Sequence, residues 1–222
     1  MRKMIFIGAL CLGIAPSFGP AQAQNDDALV PIKLDLPKPM FVGTPMNNSV
    51  PNLEKPLGKP RPPFLAPKGT ENVAFKKPVT SSDPFPVIGE LSCVTDGKKE
   101  GAEGYFVELG PFVQHITIDL KKEYTLYAMV IWHYHMQPLV YYDVVVQTAD
   151  DEKFTQNVRT LFNNDADNSI GRGKGTDLNY VETAEGKLID AKGLKARYVR
   201  CYSSGNTGND LNHYIEVAVY GK

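Results

Sequence analysis

Proline most constrains the first part of this chain. Residues 24–68 contain ten of the 17 prolines, with no sustained hydrophobic period of 2 or 3.6. Because proline has no backbone N–H and a fixed φ, such a segment forms neither a regular helix nor the interior of a sheet. We predict an extended, polyproline-like arm over residues 24–68. Five apolar residues favour its partial docking on a folded domain: Met40, Phe41, Leu53, Phe64 and Leu65.

The segment before the arm has the pattern of a secretory signal peptide. Met1-Arg2-Lys3 supplies the charged start, Met4–Ala15 is apolar, and Ala21-Gln22-Ala23 is a small-x-small cleavage site. An apolar run of about 12 residues is shorter than the roughly 20 that a membrane-spanning helix needs. We therefore predict a signal peptide over residues 1–23. The mature chain, with no transmembrane segment, would be secreted, periplasmic or on the cell surface.

From residue 69 onward the pattern changes to short β-type runs separated by Gly, Asn and Asp. No segment of helical period exceeds two turns, so residues 69–222 are predicted to form an all-β sandwich. Residues 163–179 are a long polar run, and loops of that length are usually functional or disordered. The predicted strands, of which the last two are expected to form a closing hairpin, are Ile116–Leu120, Tyr124–His135, Tyr141–Gln147, Arg197–Tyr202 and Tyr214–Tyr220.

Charge and motifs exclude several classes of function. The 24 basic residues nearly balance the 25 acidic ones, so the chain has no basic excess for neutralising nucleic-acid phosphates. The sequence has no Gly-x-Ser-x-Gly elbow, phosphate loop or Cys-x-x-Cys motif, and we predict that it is not an enzyme. Acidic pairs such as Asp165 and Asp167 are interpreted as turns.

Two cysteines, Cys93 and Cys201, remain once the signal peptide and its Cys11 are removed. In an oxidising compartment they could form a disulfide. The alternative is two buried thiols in separate strands, and sequence spacing does not decide between them.

Six segments occur in order along the second part of the chain: Asn72–Ala74 with Lys77–Ser82, Val94–Gly97, Ile116–Leu120, Val130–His133, Arg197–Arg200 and Ile215–Gly221. Together they resemble the discoidin, or coagulation factor 5/8 type C, domain of the galactose-binding-like superfamily. The resemblance covers residues 70–222 approximately and implies a jelly-roll β-sandwich preceded by the Pro-rich arm. It further implies a non-catalytic module that binds glycans, phospholipid head groups or proteins through loops at one end.

The resemblance also implies a structural calcium ion bound by Asp96 and Glu216. Calcium prefers six to eight oxygen ligands, and a turn at Asp96-Gly97 can add backbone carbonyls to the two carboxylates. This sequence departs from the usual pattern because Lys98-Lys99-Glu100-Gly101 follows, without the usual Thr and Trp. The alternative is an Asx-turn at Asp96 and a Glu216 paired with a lysine.

The predicted ligand site is a cluster of imidazoles, amides and a phenol from two loops. His133 and His135 share one side of a strand, and the relatives place site residues there and in the loop before the last strand. Such groups suit sugars, which need hydrogen-bond partners for hydroxyls and rings for C–H faces. The alternatives are turn-forming residues beside a half-buried, hydrogen-bonded His133, or a transition-metal site that joins Asp143 or His213 to the two histidines. The cluster is His133, His135, Tyr141, Asn206, Asp210, Asn212 and His213.

We therefore expect an exported carbohydrate-binding module with a structural calcium ion. The alternative is a protein-interaction, adhesion or structural envelope module that binds no sugar. In that alternative the Pro-rich arm would dock on a partner.

Overall fold

The computed structural model describes residues 28–41, 49–102 and 104–222. The predicted signal peptide, residues 1–23, lies outside them. A short 3-10 helix, Leu91–Thr95, is the one helix in the described part. The strands are β1 (Leu29–Pro31), β2 (Leu65–Pro67), β3 (Glu71–Asn72), β4 (Val79–Ser81), β5 (Val107–Leu109), β6 (Gln114–Trp132), β7 (Val145–Ala149), β8 (Arg159–Asn163), β9 (Lys187–Ser203), β10 (Asn212–Tyr214) and β11 (Glu216–Gly221).

A long antiparallel ribbon of β6 and β9 organises the fold. Its neighbours give the strand order β3-β11-β6-β9-β7-β8, and β4 also pairs with β6, while β5 and β10 form a separate pair. The ladder shifts register between Asp119 and Tyr124 and again between Leu126 and Ala128. Register shifts of this kind bend a ribbon. Both halves can therefore face one core.

The burial pattern of β6 explains the sandwich. Ile118 and Leu120 before the bend share one apolar cluster with Met129 and Ile131 after it. Successive side chains of a strand point to opposite faces, so Trp132, like Val130, packs into a second cluster on the outer face. The second half of β6 is thus buried on both faces. The predicted all-β architecture is confirmed.

The predicted closing hairpin is wrong in its pairing. Residues 197–202 lie in β9 and residues 216–220 in β11, but β6 lies between these two strands. Val217 pairs with Ile131, and Val199 pairs with Ile118. Both segments are apolar strands close in sequence, and short-range pattern carries no information on the distant strand that separates them.

The described part of the Pro-rich arm packs on the outer face of the sandwich. β1 pairs with β2, and Ile32 and Ala66 are buried in the cluster that contains Trp132 and Tyr220. The Tyr220 hydroxyl donates to the carbonyl oxygen of Lys33 at 3.2 Å. The arm therefore covers apolar sheet surface that water would otherwise contact.

Several loops emerge at one end of the sandwich. Gln114 pairs with Ser203, Val145 pairs with Asn163, and Asn212 pairs with Leu109, so the connections beyond these pairs lie together. We call residues 82–87, 110–113, 141–144, 164–179 and 204–211 the loop end.

No helix in the described ranges is long and apolar enough to cross a membrane.

Candidate functional site

The histidines of the predicted site form a buried polar chain under the loop end. His133 Nδ1 lies 2.6 Å from Glu182 Oε1, and the His133 ring stacks on Tyr141 with centroids 4.3 Å apart. The Tyr141 hydroxyl lies 2.8 Å from His213 Nδ1, and His213 Nε2 lies 2.7 Å from Glu108 Oε2. Burial raises the pKa of Tyr141 and lowers that of His213, although Glu108 opposes the latter shift. All these residues are buried.

His135 is also buried, but it belongs to a different contact. Its Nε2–H donates to the backbone carbonyl oxygen of Lys99 at 2.7 Å. Although His133 and His135 are two residues apart, both follow the end of β6 and hold different loops. They do not converge on one ligand.

The amides of the predicted site fix backbone turns. Asn212 Nδ2 donates to the carbonyl oxygens of Gly110 and Phe112, and its Oδ1 accepts from Ser203 Oγ and Gly205 N–H. Asn206 is buried, and its Nδ2 donates to the carbonyl oxygen of Leu211, which closes the turn that precedes Asn212. Asp210 is exposed.

Six of the seven predicted ligand residues are thus buried scaffold groups. Their ligand-binding role stays a prediction, and direct contact with a sugar would require the loops to open.

Two phenyl rings project from the loop end instead. Phe85 is 84% exposed and Phe112 is 81% exposed. Asp83 joins their loops, because its Oδ1 accepts from Phe85 N–H at 2.9 Å and its Oδ2 accepts from Gly110 N–H at 2.7 Å. Phe112 has a φ of 67°, in the left-handed region that residues other than glycine seldom adopt.

Sequence reasoning missed these two rings. Each has proline as its neighbour, in Pro84-Phe85-Pro86 and in Pro111-Phe112. A bulky apolar residue in a proline-flanked turn is a usable signal, because a turn keeps its side chains near the surface.

Polar groups beside the rings are also fixed. Ser82 Oγ donates to Gln114 Oε1 at 2.6 Å, and Gln114 Nε2 donates to the carbonyl oxygen of Pro111 at 3.1 Å. Burial, together with the charges of Arg200 and Arg172, lowers the pKa of the neighbouring His115 to about 4. His115 is therefore a neutral imidazole at neutral pH.

The long polar loop of residues 163–179 is held by its own hydrogen bonds. Asp165 Oδ1 accepts from Ser169 N–H at 2.9 Å, and Oδ2 accepts from Ile170 N–H at 3.1 Å. Gly175 lies so close to the Asn163 backbone that an added Cβ would collide with it. The loop is ordered rather than disordered.

Three carboxylates meet at this loop. One oxygen each from Asp143, Asp165 and Asp167 lies within 4.8 Å of the others, so this group could hold a metal ion. Burial raises the pKa of Asp143, and the charges of Asp165 and Asp167 add to that effect. The interpretation of Asp165 and Asp167 as a simple acidic turn omitted Asp143, which lies on another loop.

The residues of the predicted calcium site do come together. Glu216 is buried, and its Oε2 accepts from Gly97 N–H at 3.1 Å. Asp96 Oδ1 accepts from Lys98 N–H at 2.8 Å in an Asx-turn, and the Lys98 ammonium lies 3.7 Å from Asp96 Oδ2. The second Glu216 oxygen, Oε1, is buried without a hydrogen-bond partner among the described residues.

An unpartnered buried carboxylate oxygen is a donor of the kind that fits a cation. Burial raises the pKa of Glu216 to about 8; the Gly97 N–H and Lys99 oppose the shift, while Asp96 adds to it. Glu216, Asp96 and the Gly97 carbonyl together offer oxygen ligands of the type that calcium prefers. The chemistry of this donor set therefore fits calcium.

The two cysteines are free thiols, and no disulfide joins them. Cys93 lies in the 3-10 helix, and Cys201 lies in β9, where burial raises its pKa to about 12.

Comparison with known proteins addresses the fold. No family model matches the chain, and no curated protein matches it. A fucose-binding module from Streptococcus pneumoniae has a TM-score of 0.50 at 18% identity, with 70% of this chain and 98% of that chain covered. The chain has a discoidin-type jelly-roll fold.

Two further solved structures have the same kind of fold at lower similarity. Chitosan-binding module 1 from the chitosanase/glucanase of Paenibacillus sp. IK-5 has a TM-score of 0.49 at 19% identity, with 68% of this chain and 99% of that chain covered. Truncated AlyQ, with CBM32 and alginate lyase domains, has a TM-score of 0.46 at 18% identity, with 65% of this chain covered. The match spans 32% of the length of that AlyQ chain. The discoidin-type fold predicted from the sequence is confirmed by the β architecture and by the similarity to the fucose-binding module. Ligand and activity depend on the residues of the site.

Proposed function

We propose that this chain is an exported, non-catalytic carbohydrate-binding module that takes a glycan at the loop end. The observation that carries the proposal is the pair of rings, Phe85 and Phe112, each exposed by more than four fifths and each on a hydrogen-bonded loop. Exposed apolar surface on a rigid loop favours a binding role, because exposing it to water is unfavourable. The pyranose C–H face packs well on such a ring.

The scaffold under the rings supports this proposal. Asn212 is buried and donates to two backbone carbonyls of the Phe112 loop, and Asp83 ties that loop to the Phe85 loop. A site whose backbone is fixed before binding loses less conformational entropy when the ligand arrives. In this proposal the buried residues that sequence analysis selected position the loops and do not touch the sugar.

Exposed polar side chains on the other loops of the loop end add hydrogen-bonding groups to the apolar surface of the rings. Asn209 and Asp210 are exposed on the last loop of the loop end, and Tyr142 is partly exposed on another. Amide, carboxylate and phenol groups match the donors and acceptors of sugar hydroxyls. A site of rings surrounded by such groups selects a neutral or weakly polar glycan face.

A structural calcium ion at Asp96 and Glu216 is part of the proposal. Its support is the buried, unpartnered Oε1 of Glu216, whose other oxygen accepts from the N–H of Gly97, the residue after Asp96. When bound, calcium would supply positive charge to these oxygens and would fix the turn at Gly97. Export rests on the signal-peptide pattern of residues 1–23.

A glycan array tests the proposal, followed by calorimetry with the best glycan. We expect saturable binding to one class of sugar. We expect Phe112→Ala and Phe85→Ala each to raise the dissociation constant about tenfold or more, since a lost ring contact removes about 1.5 kcal/mol. The matched control is Phe75→Ala, because Phe75 is also partly exposed but lies outside the loop end.

Three results would contradict the proposal. The first is binding that Phe75→Ala weakens as much as Phe112→Ala does. The second is binding that neither loop-end variant weakens, although both melt at the wild-type temperature. The third is silence on the array together with capture of a purified protein partner by the loop end, which would favour a protein-interaction module.

A further inference from the structure

The Lys99 side chain already contacts one of the oxygens that calcium would use. Its ammonium donates to the carbonyl oxygen of Gly97 at 3.1 Å. Gly97 is the residue whose N–H binds Glu216, so the ammonium and the carboxylate lie on the two sides of one turn. Lys99 is only partly exposed, unlike the exposed Lys98.

The surroundings of Lys99 hold its side chain over this turn. The ammonium lies 5.4 Å from the centroid of the buried Trp132 ring, within the range of a cation–π contact. The Lys99 carbonyl oxygen accepts from the buried His135, which anchors the backbone from which the side chain departs. Three contacts thus hold one positive charge at the carbonyl oxygen of Gly97, on the turn whose N–H binds Glu216.

A calcium ion and this ammonium exclude each other. Both bind the lone pairs of the Gly97 carbonyl oxygen, and two cations at adjoining oxygens repel. The ammonium leaves Glu216 Oε1 without a hydrogen bond, so it is an incomplete replacement for a metal ion. Calcium must therefore displace Lys99 before it can bind Glu216 and Gly97 together.

We propose that Lys99 is a built-in competitor at the calcium site, which weakens calcium binding and keeps the turn at Gly97 closed when calcium is scarce. This inference rests on the calcium ion of the proposed function and adds a residue that sets its affinity. The ligand is the divalent cation alone, without a sugar.

The test measures calcium binding by calorimetry and by the calcium dependence of the melting temperature, with the full chain. Lys99→Met keeps the apolar stem on Trp132 and removes the charge. We expect it to bind calcium roughly 10 to 100 times more tightly than the wild type, as expected for loss of a charged hydrogen bond. Lys98→Met is the matched control, because it removes the same charge from an exposed residue whose ion pair with Asp96, at 3.7 Å, is weakened by solvent. We expect it to change the affinity by less than about threefold.

A third variant separates charge from shape. Lys99→Arg keeps the positive charge, and we expect its calcium affinity to stay near that of the wild type. If Lys99→Met proves too unstable to purify, Lys99→Gln replaces it, since the neutral amide also removes the positive charge that repels calcium. Lys99→Gln is expected to show the same tightening.

The outcomes distinguish two failures. Equal affinity in the wild type and in Lys99→Met, or equal tightening by Lys98→Met or Lys99→Arg, would overturn the role of Lys99 and leave the calcium site standing. No calcium binding by the wild type or by any variant would overturn both the competitor and the calcium site. Calcium binding by Lys99→Met, with none by the wild type, would support the proposal and would mean that Lys99 blocks the site completely.

Discussion

The two carboxylate clusters of the described chain differ in what satisfies their oxygens. At the turn of Asp96 and Gly97, one oxygen of the buried Glu216 has a single N–H donor and the other has no partner among the described residues. At the loop of residues 163–179, both oxygens of the buried Asp165 accept backbone hydrogen bonds. The first cluster leaves one buried carboxylate oxygen without a hydrogen-bond donor, whereas the second supplies donors to both oxygens of its buried carboxylate.

This difference shows why a group of acids alone does not define a metal site. Asp165 holds its loop together by hydrogen bonds, and Ser169 Oγ lies within hydrogen-bond distance of both Asp165 and Asp143. Glu216 ties one turn and retains an unused buried lone pair, which water does not reach. An unsatisfied buried carboxylate oxygen is costly, so it is the better indicator of a missing cation.

The largest effect that would sharpen the comparison is the loss of Asp165. Asp165→Ala removes the acceptor of the Ile170 N–H and one acceptor of Ser169. We expect a loss of about 2 to 3 kcal/mol in the free energy of unfolding, with or without a metal ion. Urea denaturation measures it. Asp167→Ala, at an exposed position, is the control and should cost much less; an equal loss would show that the loop does not depend on the buried carboxylate.

An intermediate effect on the free energy of unfolding is expected when the pH is lowered, because of His115 beside the loop end. Burial lowers the folded-state pKa of His115 to about 4, so the unfolded chain binds its proton first as the pH falls. Stability from this group is therefore present above the ordinary pKa of 6.5 and is lost as the pH falls toward about 4. Because the side chain is half-buried, we expect a loss of about 1 to 2 kcal/mol.

Urea denaturation at about pH 7 and about pH 5 measures this loss, and His115→Gln should lose correspondingly less between the two. An identical acid dependence in wild type and variant would assign the effect to other groups.

The smallest effect is expected for Glu216→Gln, which tests whether Glu216 differs from Asp165 in lacking hydrogen-bond donors. Glu216→Gln removes a carboxylate whose pKa burial raises to about 8, and it keeps an oxygen for the Gly97 N–H. In chelator we expect the free energy of unfolding to change by no more than about 1 kcal/mol, because the charged form is disfavoured by burial. Calcium should no longer raise the melting temperature. Differential scanning calorimetry measures both, and a large loss in chelator would mean that Glu216 is satisfied in the way that Asp165 is.

Much of the fold could be predicted from local pattern, and its pairing could not. The alternation of Ile116, Ile118 and Leu120 identified a strand, and the ordered segments identified the discoidin-type fold. The hairpin of the last two strands was wrong because β6, about 80 residues earlier in the chain, lies between them. Apolar periodicity reports which residues are buried and is silent on which strand they pair with.

The candidate site was harder to predict because side-chain type does not report exposure. His133, Tyr141 and Asn212 have the chemistry of a sugar site, and the fold buries all three under the loops. Phe85 and Phe112 have the composition of core residues, and the fold exposes both. Only the packing of distant loops separates a binding group from a supporting one.

The sequence by itself determined the β architecture, the Pro-rich character of residues 24–68 and the residues at the turn of Asp96 and Gly97. These depend on local properties: backbone freedom, alternation and the chemistry of adjacent side chains. The tertiary structure alone decided that Asp143 joins Asp165 and Asp167, that Lys99 shares a turn with Glu216, and that two phenyl rings face solvent. Each of these unites residues that are distant in the sequence, and their positions are set by the packing of the whole sandwich, which reduces exposed apolar area.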